Sequence, residues 1–396
     1  MNEADTRTEW LRFEQGAVVM WRETTLGEMC KMYQPKTISA KEMKEDGEYQ
    51  VYGANGVIGK YDEYNHEHPQ LLVTCRGATC GAVNVSQPFS WINGNAMVIQ
   101  PNTEEVSLRY MEFLFRGGID LTKAITGAAQ PQITRKSLEP IKFSYPPLAE
   151  QKRIVAKLDA AFAEIDRATS TAEKKKARMS LVFRRFLLDE FNNLAANAPK
   201  YTLKEVSDDF GRGKSKHRPR NDERLYGDEM PFIQTGDVSN ADVYVNSYSK
   251  KYSDFGIKQS KVWEAGTVCI TIAANIAEIA ILDIQACFPD SVIGVVPNND
   301  KTTPKYVYYL LSNFQSYIKS KSKGSAQQNI NLGTFENERF TFPQNIDEQI
   351  DMVDKLDAMY EHCESYASIQ QSKIELFYAL KSALLTAELT QLSEAA

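Results

Sequence analysis

The sequence lacks any long uninterrupted hydrophobic run, although 42% of its 396 residues are hydrophobic. A helix that spans a bilayer needs about 18 to 20 consecutive apolar residues. A secretion signal needs a basic start and an apolar stretch, whereas this chain begins with residues MNEAD. The six cysteines are spread along the chain rather than grouped as in a disulfide framework. We therefore expect a cytoplasmic protein without membrane contact or structural disulfides and, at this length, with two domains or more.

Catalytic signatures are also missing. A phosphate-binding Gly-x-x-x-x-Gly-Lys-Ser/Thr loop is absent, because Asp208 stands where the first glycine before Gly213 would be. The proline pair at residues 146–147 lacks the flanking Asn or Asp and aromatic residue of an amino-methyltransferase motif. With four histidines in the chain, general-base and metal catalysis have few candidate groups, and one His/Cys cluster has a spacing that matches no usual zinc finger: His66, His68, Cys75 and Cys80. The sequence predicts a non-catalytic chain without a metal or cofactor of its own.

The net charge of −6 is distributed unevenly. From Gln344 to the end there are ten acidic residues against three lysines, so the rest of the chain carries a net charge of +1. Binding to a polyanion depends on the local potential at the binding face rather than on the net charge. A near-neutral body with basic clusters is therefore compatible with binding to nucleic acid.

The chain contains an internal repeat. The stretch GAAQPQI at residues 127–133 returns as GSAQQNI at residues 324–330. The match continues beyond these stretches, with Glu150-Gln151 corresponding to Glu348-Gln349. The repeat therefore predicts two copies of one architecture in a single chain.

Each copy ends in a long helical pattern, which in the first copy runs from about Leu148 to Asn192. Preceding prolines suit the start of a helix but not its interior. Apolar residues recur every seven positions in two rows, which indicates a coiled-coil seam, although a helix buried against its own domain is the alternative. We expect the segments near Leu158 and Leu356 to lie together. The predicted seam consists of Val155, Leu158, Phe162, Ile165, Met179, Phe186, Val353, Leu356, Tyr360, Cys363, Phe377 and Leu384.

Short β-type runs bounded by Gly, Asn and Pro precede each helix, and a short aromatic helix lies between these runs and the repeat motif. The predicted fold class is α+β, with two tandem globular α/β-type domains that are each followed by a long α-helix. The predicted limits are an N-terminal extension at 1–20, a first domain at 21–147, a central helix at 148–199, a second domain at 200–343 and a C-terminal helix at 344–396.

A basic, glycine-rich stretch at residues 211–220 has no apolar side chain to bury and must lie at the surface. Lysine and arginine bind phosphates, and the arginine fork can pair with a guanine edge. The stretch predicts a DNA contact, with a merely solvated loop as the alternative. Its candidate residues are Arg212, Lys214, Lys216, His217, Arg218 and Arg220.

The repeat motif places carboxamides beside basic residues. Amides can make bidentate contacts with adenine, but they can also stabilise the turn before the last strand. The candidates are Gln130, Gln132, Arg135 and Lys136 in the first copy and Lys321, Lys323, Gln327 and Gln328 in the second. Polar residues near strand ends are further candidates for contacting DNA, with a turn-forming role as the alternative: Asn55, Lys60, Arg76, Asn93, Gln234, Thr235 and Asn275.

Three features resemble the specificity (S) subunits of type I restriction–modification systems. The first is VYGANGVIG at residues 51–59 with YDEY at 61–64. The second is the series of Gly, Gln, Pro, Leu and Glu-Gln positions from Gly127 to Asp159, and the third is PFIQTGDV at 231–238 behind the basic loop. The tandem arrangement makes the resemblance specific. The second copy departs from it at residues 344–347, where QNID replaces the Pro-Leu-Ala of 147–149.

The resemblance implies a non-catalytic subunit with two target recognition domains, each of which reads one half of a split double-stranded DNA sequence. It also implies that the long helices pack antiparallel as a spacer and that methyltransferase subunits, two of them in our prediction, dock on the helices and domains and bring S-adenosylmethionine. A translocase and nuclease subunit can join to cut foreign DNA. The alternative is a stand-alone DNA-binding or inhibitory adaptor of another phage-defence system with the same architecture.

Overall fold

The structure is a computed structural model that describes residues 9–14, 17–127, 130–194, 196, 198–273, 276–322 and 332–389. Contacts divide the chain into unit 1, with residues 1–173 and 372–396, and unit 2, with residues 174–371. Both divisions fall inside a long helix. The predicted domain limits treat the helices as separate spacers, and they stay a prediction.

Unit 1 is a mixed α/β unit. Its strands are β1 (Glu9–Glu14), β2 (Ala17–Thr25), β3 (Cys30–Tyr33), β4 (Tyr49–Gly53), β5 (Gly56–Tyr61), β6 (Leu71–Thr74), β7 (Val83–Val85), β8 (Trp91–Ile92), β9 (Ala96–Pro101), β10 (Ile125–Thr126), β11 (Gln132–Ile133) and β12 (Lys142–Tyr145). Its short helices are α1 (Leu26–Met29), α2 (Leu108–Phe113) and α3 (Arg135–Leu138), with a π-helical turn at Leu114–Gly118 and a 3₁₀ turn at Leu121–Ala124. The long helix α4 (Leu148–Asn192) begins in this unit.

The core of unit 1 forms around a four-stranded sheet with the order β3-β9-β6-β7. All four residues of β6 are buried, and their side chains alternate between two faces as strand geometry requires. Leu71 and Val73 pack in the main cluster with Tyr110 and Leu158, whereas Leu72 packs in a second cluster with Tyr52. The buried β6–β9 pair therefore holds α2 and α4 on one side and the smaller sheet β5-β4-β8 on the other.

Unit 2 has its own set of elements. The strands are β13 (Lys200–Tyr201), β14 (Ser207–Arg212), β15 (Tyr226–Pro231), β16 (Tyr244–Val245), β17 (Lys251–Tyr252), β18 (Val262–Trp263), β19 (Val268–Thr271), β20 (Ile279–Leu282), β21 (Ala286–Cys287), β22 (Val292–Pro297) and β23 (Phe340–Thr341). The helices are α5 (Thr235–Asn240), α6 (Asp254–Lys258), α7 (Pro304–Ser322), α8 (Leu332–Glu336) and the long α9 (Ile346–Leu389), with a 3₁₀ turn at Glu223–Leu225.

The core of unit 2 repeats the plan of unit 1. A five-stranded sheet has the order β14-β22-β19-β20-β16, and β19 is buried along its whole length. Val268 and Ile270 pack with Tyr306 of α7 and Leu356 of α9, whereas Cys269 packs with Trp263 and other residues on the opposite face. The same alternation of strand side chains thus joins sheet, aromatic helix and long helix in both units.

The two long helices contain neither glycine nor proline over 45 and 44 residues, which allows them to continue without a break. In unit 1, Lys157 of α4 pairs with Glu388 of α9 at 2.6 Å, and Asp166 pairs with Lys381. In unit 2, Lys176 donates to Gln371 at 2.9 Å. Within each unit, rising numbers on α4 meet falling numbers on α9, so the helices pack antiparallel as the resemblance predicts.

This direction corrects one expectation. Leu158 lies in the core of unit 1 near Leu385, and Leu356 lies in the core of unit 2 near Leu187. The prediction that Leu158 and Leu356 lie together was wrong, because antiparallel helices bring the start of one against the end of the other.

Candidate nucleic-acid interface

In unit 1, a cleft of about 280 Å³ brings together residues from three distant parts of the sequence. Arg76, Gln132 and Arg135, which were predicted separately, all line it. Tyr33, the last residue of β3, and Gln34, which follows it, also line the cleft. Neither residue could be found from the sequence, because the local pattern at residues 33–34 does not indicate which distant loops pack against this strand end.

The backbone explains why these side chains converge. The segment after β6 pairs with β11, since the backbone N–H of Ile133 donates to the carbonyl of Cys75 at 2.9 Å and Arg76 forms a bridge with Gln132. Gly77 adopts φ = +89°, which turns the chain sharply after Arg76. At the other side, Thr134 caps α3 and so fixes where Arg135 begins the helix.

The charged groups of this cleft differ in their availability. Arg135 pairs with Glu139 at 2.7 Å. Arg76 is exposed, and its guanidinium has no ion pair or hydrogen bond within the part of the chain that the structure describes. Lys136 and Gln130 are exposed close by in the sequence. The cleft therefore presents a free arginine fork beside amide groups, which is the chemistry that reads base edges.

Besides Gln130 and Lys136, three further candidates of the first copy do not line this cleft. Asn93 is only 2% exposed, and its carbonyl oxygen accepts hydrogen bonds from the backbone of Ile38 and the indole of Trp91. Its side chain is thus occupied in holding a turn, the alternative role for strand-end asparagines. The amide of Asn84 donates to Asn55 at 2.9 Å, and Lys60 is exposed on β5.

In unit 2, the basic stretch 211–220 runs from the end of β14 along the surface. It is fixed at Gly213, where an added Cβ would lie 2.2 Å from the carbonyl oxygen of Phe288, so only glycine fits. The hydroxyl of Ser260 donates to the carbonyl of Lys214, and the N–H of Lys216 donates to the carbonyl of Gln259. These bonds place the exposed Lys258, a residue that the sequence reasoning missed, next to the loop.

Half of the predicted loop residues are engaged in contacts within unit 2. Arg220 pairs with Asp290 at 2.7 Å, and Arg218 donates to the carbonyl of His217 at 2.9 Å. His217 pairs with Asp222 at 2.7 Å. The guanidinium of Arg224 and its backbone N–H, together with His217, hold the pKa of Asp222 well below its usual range. These contacts shape the loop.

The other half remain available. Arg212, Lys214 and Lys216 are exposed, and none of them has a side-chain ion pair among the described residues. Three exposed cations on one loop are the kind of groups that can bind phosphates or base edges.

The remaining candidates of the second copy fall in two groups. Gln234 and Thr235 stand at the start of α5, where the backbone N–H of Gln234 donates to Asp237 at 2.7 Å, and both are half-buried. Lys321 lies near the end of α7, of which only the backbone is described there. The other four predicted residues lie outside the described residues: Asn275, Lys323, Gln327 and Gln328.

None of the twelve predicted seam residues is exposed. Leu158, Ile165, Val353, Leu356 and Cys363 are buried. The other seven are half-buried: Val155, Phe162, Met179, Phe186, Tyr360, Phe377 and Leu384.

The long helices also carry large apolar side chains that face solvent. On α4 within unit 2, Leu181 is 62% exposed and Leu188, two turns later, is 39% exposed. On α9 within unit 1, Leu376 is 67% exposed and Leu380 is 45% exposed. Exposed leucines at helical spacing are typical of a surface that packs against a partner.

No group of three or more His, Cys, Asp or Glu side chains among the described residues is placed to hold a metal ion. His66 instead meets the hydroxyl of Tyr33 at 2.8 Å. All six cysteines are thiols. Within the same part of the chain, no helix is both long and apolar enough to span a bilayer.

Comparisons with known proteins agree on one family. A sequence model described as the type I restriction modification DNA specificity domain matches residues 19–175 and again residues 199–376. The chain is 22% identical over 298 residues to the putative type I restriction enzyme MjaX specificity subunit of Methanocaldococcus jannaschii, with 70% of this chain and 67% of that protein covered. It is 22% identical over 322 residues to the type I restriction enzyme EcoBI specificity subunit of Escherichia coli, with 74% and 67% covered.

Two solved structures share the fold. One comes from a study of complex assembly and conformational transition in a type I restriction–modification system, with a TM-score of 0.70, 17% identity, and 94% of this chain and 98% of that chain covered. The other is the HsdS subunit from Thermoanaerobacter tengcongensis, with a TM-score of 0.55, 17% identity, and 93% and 96% covered.

Proposed function

The chain belongs to the type I restriction–modification DNA specificity family, and from this premise we propose how its two units recognise DNA and assemble with partners. Its role is DNA target recognition, as a non-catalytic part of a type I complex. The alternative of a stand-alone adaptor is not favoured, because the relatives are specificity subunits.

The two units each read one half of a bipartite double-stranded DNA target. The observation that carries this proposal is the presence of two DNA specificity domains in one chain, over residues 19–175 and 199–376. Each of the two matched segments contains one surface with exposed cations. In unit 1 this is the cleft with Arg76, and in unit 2 it is the loop with Lys214 and Lys216. Because the surfaces differ in residues and in geometry, we expect the two half-sites to differ in sequence.

The long helices act as the spacer between the two readers. Helix α4 contributes Ile154 and Leu158 to the core of unit 1 and Leu187 to the core of unit 2. A continuous helix of 45 residues is about 68 Å long at 1.5 Å per residue, compared with about 34 Å for one turn of DNA. A rigid link turns the second half-site contact into an intramolecular step, which raises affinity without additional contacts.

Methyltransferase subunits dock on the exposed apolar positions of these helices, two of them in the complete complex, and a restriction and translocase subunit can join. Leu181 and Leu188 in unit 2 and Leu376 and Leu380 in unit 1 supply one apolar surface per unit. One surface per unit supports two docking sites. S-adenosylmethionine and the methylating groups belong to the partner, not to this chain.

The test is to co-express the chain with the methyltransferase subunit of the same system in a methylation-free host and to sequence the methylated positions. We expect one bipartite motif with a fixed gap. The chain alone and the methyltransferase alone should each leave the DNA unmodified. Methyl transfer by the isolated chain, or methylation of a continuous motif, would contradict the proposal.

A further inference from the structure

The tip of the β4–β5 hairpin in unit 1 exposes two neighbouring apolar side chains. Val57 is 52% exposed and Ile58 is 51% exposed. Adjacent residues of a regular strand point to opposite faces of the sheet. A β-bulge changes this arrangement, because the register shifts between Val51 and Tyr52 and leaves Ile58 as an extra residue on β5. Bulges of this kind redirect a side chain, and here both members of an apolar pair reach solvent.

The turn of this hairpin is held against the end of β6. The hydroxyl of the buried Thr74 donates to the carbonyl of Ala54. The amide of Asn84 on β7 donates to Asn55 at 2.9 Å. Thr74 is the last residue of β6, and Arg76 follows two positions later. The hairpin tip and the cleft with Arg76 therefore lie at the same end of the central sheet.

The shape and charge of the tip suit a polyanion. Gly56 adopts φ = +99°, and a Cβ added at Gly53 would lie 2.7 Å from the side chain of Ile58, so the turn is tight and Ile58 lies across it. The hairpin from residue 49 to 61 contains no acidic residue. Its one cation, Lys60, is exposed and has no ion pair within the part of the chain that the structure describes. The apolar pair is thus flanked by an amide, that of Asn55, and an ammonium group.

Unit 2 shows that the scaffold does not require this hairpin. In unit 1, β4 runs parallel to β8 just before the turn. In unit 2, Phe232 forms the equivalent parallel bridge to Cys287. There the chain continues into the helix α5, whose one large apolar residue, Val238, is buried. An exposed apolar pair at this place is therefore particular to unit 1, and core packing does not explain it.

We infer that the β4–β5 hairpin enters the major groove of the DNA target and places Val57 and Ile58 against the C5-methyl group of thymine. This inference rests on the proposed function. The major groove is about 12 Å wide and admits a two-stranded β-ribbon, whereas the minor groove is about 6 Å wide. The thymine methyl is the apolar group that the bases present in the major groove, and apolar side chains contact it. Val57 and Ile58 are thus specificity-determining residues of unit 1.

The test measures DNA affinity of the full chain assembled with the methyltransferase subunit, by fluorescence anisotropy. Each thymine of the methylated motif, on both strands, is replaced in turn by deoxyuridine, which lacks only the methyl group. We expect roughly 4-fold weaker binding for each methyl group that the hairpin contacts, at positions confined to one half-site. If no thymine in either half-site responds, the inference is overturned.

Variants assign the effect to the hairpin. In the double variant Val57→Ala and Ile58→Ala, DNA with thymine and DNA with deoxyuridine should bind equally well at the responsive positions. The matched control is Met20→Ala, which removes another exposed apolar side chain of unit 1, on β2, and should keep the full difference. A difference that persists in the double variant would show that another part of the complex contacts the methyl group.

A second variant guards against loss of the hairpin itself. Ile58→Ala uncovers Gly53, whereas Val57→Thr keeps the size and branching of the side chain and exchanges one methyl group for a hydroxyl. Val57→Thr should reduce the affinity ratio from about 4 to below about 2. Thermal unfolding checks both variants, and if the double variant does not fold, Val57→Thr decides.

Two results separate this inference from the proposed function. If the unaltered complex methylates no bipartite motif, the proposed function fails. If it reads a bipartite motif but does not distinguish thymine from deoxyuridine, only the inference fails. Weaker assembly of the double variant with the methyltransferase subunit, with an unchanged thymine preference, would also overturn the inference, since the apolar pair would then contact a protein.

Discussion

The substitution Arg76→Ala tests the proposed DNA surface of unit 1 most directly. Arg76 is exposed and has no ion pair or hydrogen bond from its guanidinium among the described residues. Its removal should change the free energy of unfolding by no more than about 0.5 kcal/mol. An arginine that makes a bidentate contact to guanine contributes about 1 to 3 kcal/mol of discrimination, which corresponds to roughly 5- to 150-fold in affinity.

The assay compares two readouts on the assembled methylation complex. Affinity for the target DNA is measured over a range of salt concentrations, and the methylated motif is sequenced in cells. A base contact predicts a relaxed position in one half-site with little change in salt dependence. A phosphate contact predicts weaker binding to all sequences and a salt slope that is smaller by about 1.

The matched control is Arg167→Ala on α4, where Arg167 pairs with the equally exposed Glu164 at 2.6 Å and donates to the carbonyl of Ala163 at 3.3 Å, both on its own helix. It removes the same side chain from the same unit at a site away from the cleft, and it should leave the motif and the affinity unchanged. If Arg76→Ala behaves like Arg167→Ala in both readouts, the cleft is not a DNA surface.

Three further predictions concern the loop, the spacer and pH. The double variant Lys214→Ala and Lys216→Ala should reduce the salt slope of DNA binding by about 2 without unfolding the protein. Arg220→Ala breaks the ion pair with Asp290, so it should in addition make the loop more mobile, which hydrogen exchange would detect. If the lysine pair leaves the slope unchanged, the loop does not contact phosphates. Leu158→Ala should lower the free energy of unfolding, measured in urea, by about 2 to 5 kcal/mol because Leu158 is buried. Leu376→Ala removes an exposed side chain, so it should change that free energy by no more than about 0.5 kcal/mol and should weaken methyltransferase binding. Equal loss of stability in the two variants would contradict the predicted seam. Asp222 has a depressed pKa in the folded chain, so its contribution to loop order is complete above the unfolded pKa of about 4 and is lost as pH falls through the folded value. NMR should therefore show an intact loop from pH 5 upward, and loop disorder beginning at pH 6 would refute this assignment.

The long helices could be predicted from the sequence because their signal is local and repeated. Five heptads without glycine or proline specify a helix and its apolar face, and α4 spans the range that the pattern predicts. The pattern does not specify which part of the partner helix a residue meets. Leu158 and Leu356 occupy equivalent repeat positions, and the antiparallel direction that separates them depends on contacts between residues more than two hundred positions apart, such as Lys157 with Glu388.

The candidate interface was predictable in composition but not in arrangement. The basic loop could be found because arginine and lysine without apolar neighbours cannot form a core. The cleft could not be found, because Arg76 and Gln132 meet only through the bridge that follows β6. The sequence prediction wrongly placed Asn93 at the surface, because an asparagine near a strand end suits both a base contact and a buried turn. Its hydrogen bonds to Ile38 and Trp91 show that it has the buried, turn-forming role.

The two repeats share the bonds that build the scaffold and differ in the groups that face outward. Gln151 and Gln349 make the same contact to the loop before the aromatic helix, and both aromatic helices pack on a fully buried strand. Substitution in these positions would cost core packing or leave a buried amide without its partner. Arg76, Lys214 and Lys216 carry no such constraint, since none of their side chains supports a core contact. If the proposed function holds, the target sequence can change through these residues while the scaffold bonds of each unit stay the same.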